Sequence, residues 1–566
     1  VEQGRGAFEE GEADNKGQAS PAEAVALDSL EESAMSFIFT ICIVILYLIV
    51  VCYLAYKGWR RNQTASDYMI AGRGMHPGVM VLSYGATFVG TTVIIGFGGS
   101  AALFGFSLLW LSFFNIMVGV FIAFVFFGRR TRRMGLALNA HTFPEVLGER
   151  YQSRFIQGFA GLVIFAFIPI YAAAVLIGIA RFIEVSLSVP YAMGLLAFCL
   201  FLALYVMMGG LKAVMYTDAF QGVVMFVMMA ILCFWTYHLL GGIIPAHQAL
   251  TDIASLVPEM WVRDGHQGWT AGLTLGSPFW WIVYSSIMYG VGIGVLAQPQ
   301  LVVRFLTVSS DRMLHRWVLV GGVFILAMTG VSLAVGPLTN AVFVQRFDAI
   351  SIVMAGGNVD KVIPVYINTI MPWWFSAFFL VGMLAASMAT LSSQFHVGGT
   401  SLGRDFYGAG MGFQRAGEII TTKLGMVLTI IAAVIWSLLL SPSATAVAVT
   451  FFFGLCAASF LPLYFLGLYW RGVTKAGAIA SMIGGLCMSF VWMIFFHHQE
   501  SASLGICQAL FGRASLVADY PSTSWIWKLQ YVDPLVIALP FSFALCVGVS
   551  RITHKMPRSH LRRCFK

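Results

Sequence analysis

The groups able to do chemistry in this chain are concentrated in two glycine-rich apolar stretches. The first, SYGATFVGTTVIIGFGG, runs from Ser83 to Gly99 and interleaves Gly85 and Gly90 with hydroxyls. The second, YSSIMYGVGIGVLAQPQ, runs from Tyr284 to Gln300 and places Gly290, Gly292 and Gly294 ahead of Pro299. Unwound backbone in hydrocarbon leaves polar groups unsatisfied, so a lipid-facing helix has no use for such breaks. Inside a protein the same break presents free carbonyl and N–H groups to a small ion or polar solute. Two interrupted segments in corresponding positions of two halves are the pattern expected where a solute binds between inverted repeats. The competing reading is that small residues only let helices pack closely.

Few charged side chains accompany these stretches. Asp218, an acid at the end of an apolar segment, is expected either to serve an ion or proton pathway or, with Thr217 beside it, to cap the start of its helix. Arg304 is expected to snorkel to the inner interface. His396 lies within an apolar segment, where a hydrogen-bonded packing role is the commoner one. His497 and His498 adjoin a segment boundary, with no third metal ligand in the sequence around them. No nucleophile, base or metal cluster converges as a membrane enzyme would require.

Positioning these groups falls to segments that cross a bilayer. The 566 residues are 59% hydrophobic and 10% charged, whereas an ordinary soluble domain is roughly a quarter charged. That balance excludes a soluble enzyme. Apolar stretches recur from Ser36 to Ser550, and an all-α polytopic membrane protein of about 13 transmembrane helices is expected. Their starts fall near Ser36, Pro77, Phe106, Phe155, Tyr191, Ala219, Phe279, Trp317, Pro372, Leu424, Ala446, Ala476 and Pro534. With the N-terminus outside and the C-terminus inside, most of the 33 Lys and Arg residues collect on the inner face, which is the bias that orients membrane proteins. The net charge of +8 thus reports topology and not a nucleic-acid partner, because the basic residues lie in short clusters between apolar segments.

The nine cysteines form no CxxC or CxxxC pair, so neither a disulfide framework nor a zinc site is expected, and Cys507 is the expected external thiol. Residues 1–34 are acidic and poor in large apolar side chains, and are expected to be a disordered tail or a mis-assigned start. They lack the basic and apolar regions of a signal peptide.

Four stretches resemble the sodium/solute symporter family, which includes bacterial proline and pantothenate permeases. They are DYMIAGR from Asp67 to Arg73, GGLKAVMYTDAFQG from Gly209 to Gly222, AQPQLVVRF from Ala297 to Phe305, and LAASMATLSSQ from Leu384 to Gln394. Any one is weak, but four in the right order are specific. The resemblance implies a LeuT-like core of two inverted five-helix repeats, here 77–242 and 279–470. An extra N-terminal helix at 36–56 would precede it, with two C-terminal helices in 476–550 and a basic cytoplasmic tail at 551–566 following. It also implies a multi-pass protein of a bacterial-type cytoplasmic (inner) membrane that carries a small organic solute with sodium.

The family's shared sodium site maps onto Ala86 and Val89 of the first broken segment and onto Ala386, Ala389 and Thr390. Sodium is a hard cation satisfied by carbonyl and hydroxyl oxygens, which unwound backbone and Thr390 supply. Ala389 stands where family members usually carry serine, so one oxygen is absent and a proton is the alternative coupling ion. A second cation or proton site found in some members maps onto Asp218, Ser392 and Ser393. Thr87, Thr91, Tyr171, Tyr289 and Gln298 are the candidate solute contacts. Val291 and Val295 replace the aromatic pair of the proline permease, which argues against proline. A carboxylate such as pantothenate, a monocarboxylate or an amino acid suits the N-terminal ends of half-helices. No cofactor and no metal beyond sodium is expected. The rival reading from another class is a symporter-like sensor working with a separate signalling partner.

Overall fold

The computed structural model describes residues 21–60, 64–310, 317–413, 418–440 and 445–565. Residues 1–20 of the expected tail, and Arg61, Arg312, Arg316, Arg415 and Lys566 among the basic residues expected on the inner face, lie outside the described residues. The described chain is helical throughout, its only sheet-like feature being a single bridge between Met75 and Val308. The elements used below are α1 (Pro21–Trp59), α2 (Pro77–Phe88), α3 (Arg154–Leu187), α4 (Tyr191–Leu239), α5 (Val318–Phe347), α6 (Trp373–Thr400), α7 (Glu418–Leu439), α8 (Thr445–Tyr469), α9 (Lys475–Phe495) and α10 (Pro534–Ile552).

Helix starts carry local signals. Ser153, Thr474 and Asp533 accept the backbone N–H of Ile156, Gly477 and Leu535 at the heads of α3, α9 and α10, each satisfying a donor that the helix leaves orphaned. Pro77 and Pro534 open α2 and α10 at the first helical position, where a missing N–H costs nothing.

Among the described residues, 11 stretches are long and apolar enough to cross a membrane. Thr92–Leu138 counts once there although it has 47 residues and is interrupted at Gly105, whose φ is 70°. Tyr191–Met207 falls short of a full crossing, and α2 has only 12 residues before its break.

Two boundaries differ from the sequence expectation. α1 begins at Pro21 and not near Ser36, although its membrane-crossing part is Ser36–Trp59. The stretch PAEAVALDSLEESA is rich in Ala, Glu and Leu, all strong helix formers, so part of the expected tail is helical. The sixth segment does not start at Ala219. α4 is continuous through that point, and the chain kinks earlier, at Gly210, with φ 61° and ψ 176°. Gly209–Gly210 supplies the only residue type that takes this conformation without steric cost.

α6 lies at the centre, packed against α3, α4 and α7 and buried from Phe379 to Thr400. α1 lies at the rim and exposes Phe37, Ile45, Leu46 and Ile49, an apolar surface suited to lipid. The seam between α6 and α7 is glycine-lined. A Cβ on Gly425 would meet the Gly399 carbonyl oxygen at 2.8 Å, and one on Gly403, in the widened turns Ser401–Gly410 that continue α6, would meet the Thr421 carbonyl carbon at 2.6 Å. Cys507, expected outside, is buried in a short helix, Ile506–Phe511.

Candidate functional site

α2 stops at Phe88 because Val89 leaves helical geometry, at φ −95° and ψ 69°. Helical turns resume at Thr92. The Val89 N–H still reaches the Gly85 carbonyl at 2.8 Å, but the carbonyls of Ala86 and Val89 take no backbone hydrogen bond across the break. α6 closes against this gap. Thr390 donates its hydroxyl to the Thr87 carbonyl at 3.2 Å, and a Cβ on Gly90 would overlap the same hydroxyl. One turn away the Thr91 and Ser387 hydroxyls bond to each other. Ala86, Val89, Ala386, Ala389 and Thr390 are all fully buried, and the contacts across the gap run through Thr87, Gly90, Ala389 and Thr390.

The second glycine-rich stretch breaks elsewhere than its glycines suggest. Helical turns, some widened to the π pattern, continue from Pro278 through Ala297. The backbone becomes extended only at Gln298, φ −72° and ψ 115°, before Pro299 starts a new turn. A residue before proline is pushed from the helical region by the proline ring. Gly294 and Gly292 serve packing instead: a Cβ would lie 2.7 Å from Phe453 and 3.1 Å from Phe114.

Between the two breaks lies a buried ion pair. Arg304, on the short helix Pro299–Phe305, is fully enclosed and donates from Nη2 to Asp218 Oδ2 at 2.9 Å. Nη2 also reaches Thr87 Oγ1 at 2.5 Å and Ser393 Oγ at 2.6 Å. Nε donates to Ser83 Oγ at 3.1 Å and Nη1 to the Gln300 carbonyl at 2.5 Å. Ser83 donates to Asp218 at 2.8 Å. Arg304 is therefore not an interfacial anchor, and Asp218, inside α4 and not at its start, is not a helix cap.

The candidate residues separate into groups. Thr87 belongs to the ion-pair cluster together with Asp218 and Ser393, while Ser392 turns to the Ala389 carbonyl of its own helix at 3.3 Å. Tyr171 packs on the rings of Phe452 and Phe453. Gln298 donates to the Gly294 carbonyl at 3.2 Å and accepts from Gln300. Tyr289 is half-buried. Val291 and Val295 are buried. His396 is buried beside the Tyr68 ring.

Sequence reasoning missed Ser83, Ser387 and the pairing role of Arg304. The signal for Arg304 was present: a guanidinium five residues past Pro299 in an apolar segment, with an unpaired acid elsewhere in the bilayer.

Two further polar clusters flank the junction. At one end Arg404 binds Glu145 at 2.9 Å and Glu418 at 2.7 Å. Burial pushes the Glu145 carboxyl up, but hydrogen bonds from His141 and Arg404 outweigh it and hold it at about 2. At the other end a cavity of 240 Å³ is bordered by Ser100, Ser286, Thr450, Asp360, His497 and Asp533. Burial raises the Asp533 carboxyl to about 6. Burial opposes protonation of His497, yet its bond to Glu500 raises it.

The model of the sodium:solute symporter family matches residues 68–485. Sodium/proline symporter 2 of Staphylococcus saprophyticus is 26% identical over 501 residues, covering 85% of this chain and 90% of its own length. The sodium/proline symporter of Staphylococcus aureus is 27% identical over 470 residues, covering 80% and 86%. Among solved structures, a substrate-bound, outward-open Na+-coupled sialic acid symporter superposes with a TM-score of 0.69 at 16% identity, covering 91% of this chain and 98% of its own. That likeness establishes the fold.

Proposed function

Because the chain belongs to the sodium:solute symporter family, we propose that it is a secondary active transporter in which sodium drives uptake of a small organic solute. The observation that carries this reading is the closure of Thr390 onto the α2 break, beside the free carbonyls of Ala86 and Val89. These are neutral, hard oxygens in a dry site, the donor set an alkali cation needs in order to shed water. Ala386 and Ala389 complete the segment that faces them. Ala389 contributes a methyl group where a hydroxyl would serve, so sodium is held by fewer side-chain oxygens.

In this reading the chain crosses a bacterial cytoplasmic membrane about 13 times, with the N-terminus outside. The broken α2 and the Gln298 break then belong to two inverted repeats. The solute sits between them, with Thr91, Tyr171 and Gln298 as the first contacts to test. Buried Val291 and Val295 disfavour a proline-type ring contact, whereas half-helix N-termini favour a carboxylate. Proton coupling through Asp218 is the second reading. Its carboxylate is already paired, by Arg304 Nη2 at 2.9 Å.

The deciding experiment is uptake of labelled carboxylates, amino acids and pantothenate into proteoliposomes under an imposed sodium or proton gradient. Sodium-driven uptake that is lost in Thr390→Ala is the expected result. Proton-driven uptake lost in Asp218→Asn would move the coupling site, and no accumulation under any gradient would favour a sensor.

A further inference from the structure

We propose that Arg304 is a built-in cation that fills the second cation position, so that a single sodium ion drives each transport cycle. The inference rests on the sodium-symport reading above. Two of the oxygens mapped to a second cation, Asp218 Oδ2 and Ser393 Oγ, converge together with Thr87 Oγ1 on one nitrogen of Arg304, at 2.9, 2.6 and 2.5 Å. A sodium ion cannot share them, since the nitrogen stands where the ion would stand.

Electrostatics point the same way. An isolated carboxylate at full burial is strongly unfavourable and needs one compensating positive charge. Arg304 supplies it permanently, because a guanidinium stays protonated in proteins. Both side chains have 0% exposure, so no solvent screens a second positive charge brought beside the first. Among the oxygens of Asp218, Ser393 and Thr87, Asp218 Oδ1 is the one left without a partner, and one oxygen is not a coordination shell. The remaining guanidinium nitrogens are tied to Ser83 and to the Gln300 carbonyl, so the group is fixed from α2, α4, α6 and the turn after Gln298. The same tether lets the second broken segment sense the first without an exchangeable ion.

The test is equilibrium binding of 22Na+ to the purified full-length protein, with binding capacity and Hill slope as readouts. The wild type should bind about one sodium per chain with a Hill slope near one, and Thr390→Ala should abolish it. Arg304→Gln frees the Asp218 carboxylate and should raise capacity to about two, and adding Asp218→Asn should return it to about one. Arg304→Lys keeps the charge and should keep a single site; it serves if the glutamine variant does not fold. Two sodium ions on the wild type, one lost in Asp218→Asn, would overturn the proposal. So would an unchanged capacity in a folded Arg304→Gln protein. No sodium on the wild type would instead sink the sodium-symport reading and this inference with it.

Discussion

Gly90→Ala isolates the junction between the α2 break and α6. Gly90 does not hold a positive φ, so alanine brings no backbone strain and the effect is one of space. The added methyl would lie 3.1 Å from Thr390 Cβ and 3.2 Å from Cγ2, and would overlap the Thr390 hydroxyl. Overpacking a dense interior costs about 1–3 kcal/mol. If the strain is relieved by displacing the hydroxyl, that cost falls on sodium binding and corresponds to roughly a 5- to 150-fold rise in the sodium concentration for half-maximal uptake. Gly290→Ala is the matched control. Its nearest neighbours, in Thr450, are 3.9 Å from the new methyl, and sodium dependence should not change. The assay is initial uptake against external sodium in proteoliposomes, with thermal melting of both variants to confirm folding. An unaltered sodium curve in a well-folded Gly90→Ala protein, or an equal shift in Gly290→Ala, would refute the steric argument.

Ala389→Ser should restore a hydroxyl to the junction and lower the half-saturating sodium concentration several-fold, read from the same uptake curves; a higher value would mean that the site has no room for it. Arg404→Ala leaves Glu145 and Glu418 without their cation and should cost about 3–5 kcal/mol, seen as a large drop in melting temperature, while Lys should recover only part because it cannot bridge two carboxylates in a fork. Glu145 is held at about 2 in the fold, below its ordinary 4.5, so its contribution is present above pH 4.5 and is lost as pH falls towards 2. Asp533, raised to about 6, acts in the opposite sense: the folded state holds its proton more tightly, so stability should fall as pH rises from about 4 to 6. Melting curves across that range should flatten in Asp533→Asn, and a slope unaffected by the substitution would exclude Asp533 as its source.

The broken α2 was legible because its break needs a residue without a side chain at Gly90, and a local requirement leaves a local mark. The second stretch misled for the opposite reason. Gly290, Gly292 and Gly294 look like a break, but the space they clear belongs to Phe114 and Phe453, whose proximity no local pattern reveals. The true discontinuity was carried by Gln298 and Pro299. Asp218 stands out in the sequence as an unusual acid, but the start expected near Ala219 lies past the Gly210 kink, inside a continuous helix. Its partner lies 86 residues further along, and only the packed bundle brings the two together. The candidate sodium ligands came from resemblance and not from pattern, since backbone carbonyls are supplied by any residue type.

The glycine-lined seam between α6 and α7 bears on how the protein moves. Backbones that touch through Gly399, Gly403 and Gly425 interlock like gear teeth, and sliding one helix along the other would drive carbonyls into neighbouring main chain. α6 and α7 should therefore travel as one rigid blade. The junction of α6 with α2 and the break after it rests instead on side-chain contacts, Thr390 to the Thr87 carbonyl, Thr91 to Ser387 and the Arg304 cluster that holds Thr87 and Ser393, which can rearrange without moving main chain. That face is the slip plane on which the protein can reorient. Cross-linking α6 to α7 should leave turnover intact, whereas a link between α6 and α2 should lock the carrier with its ion inside.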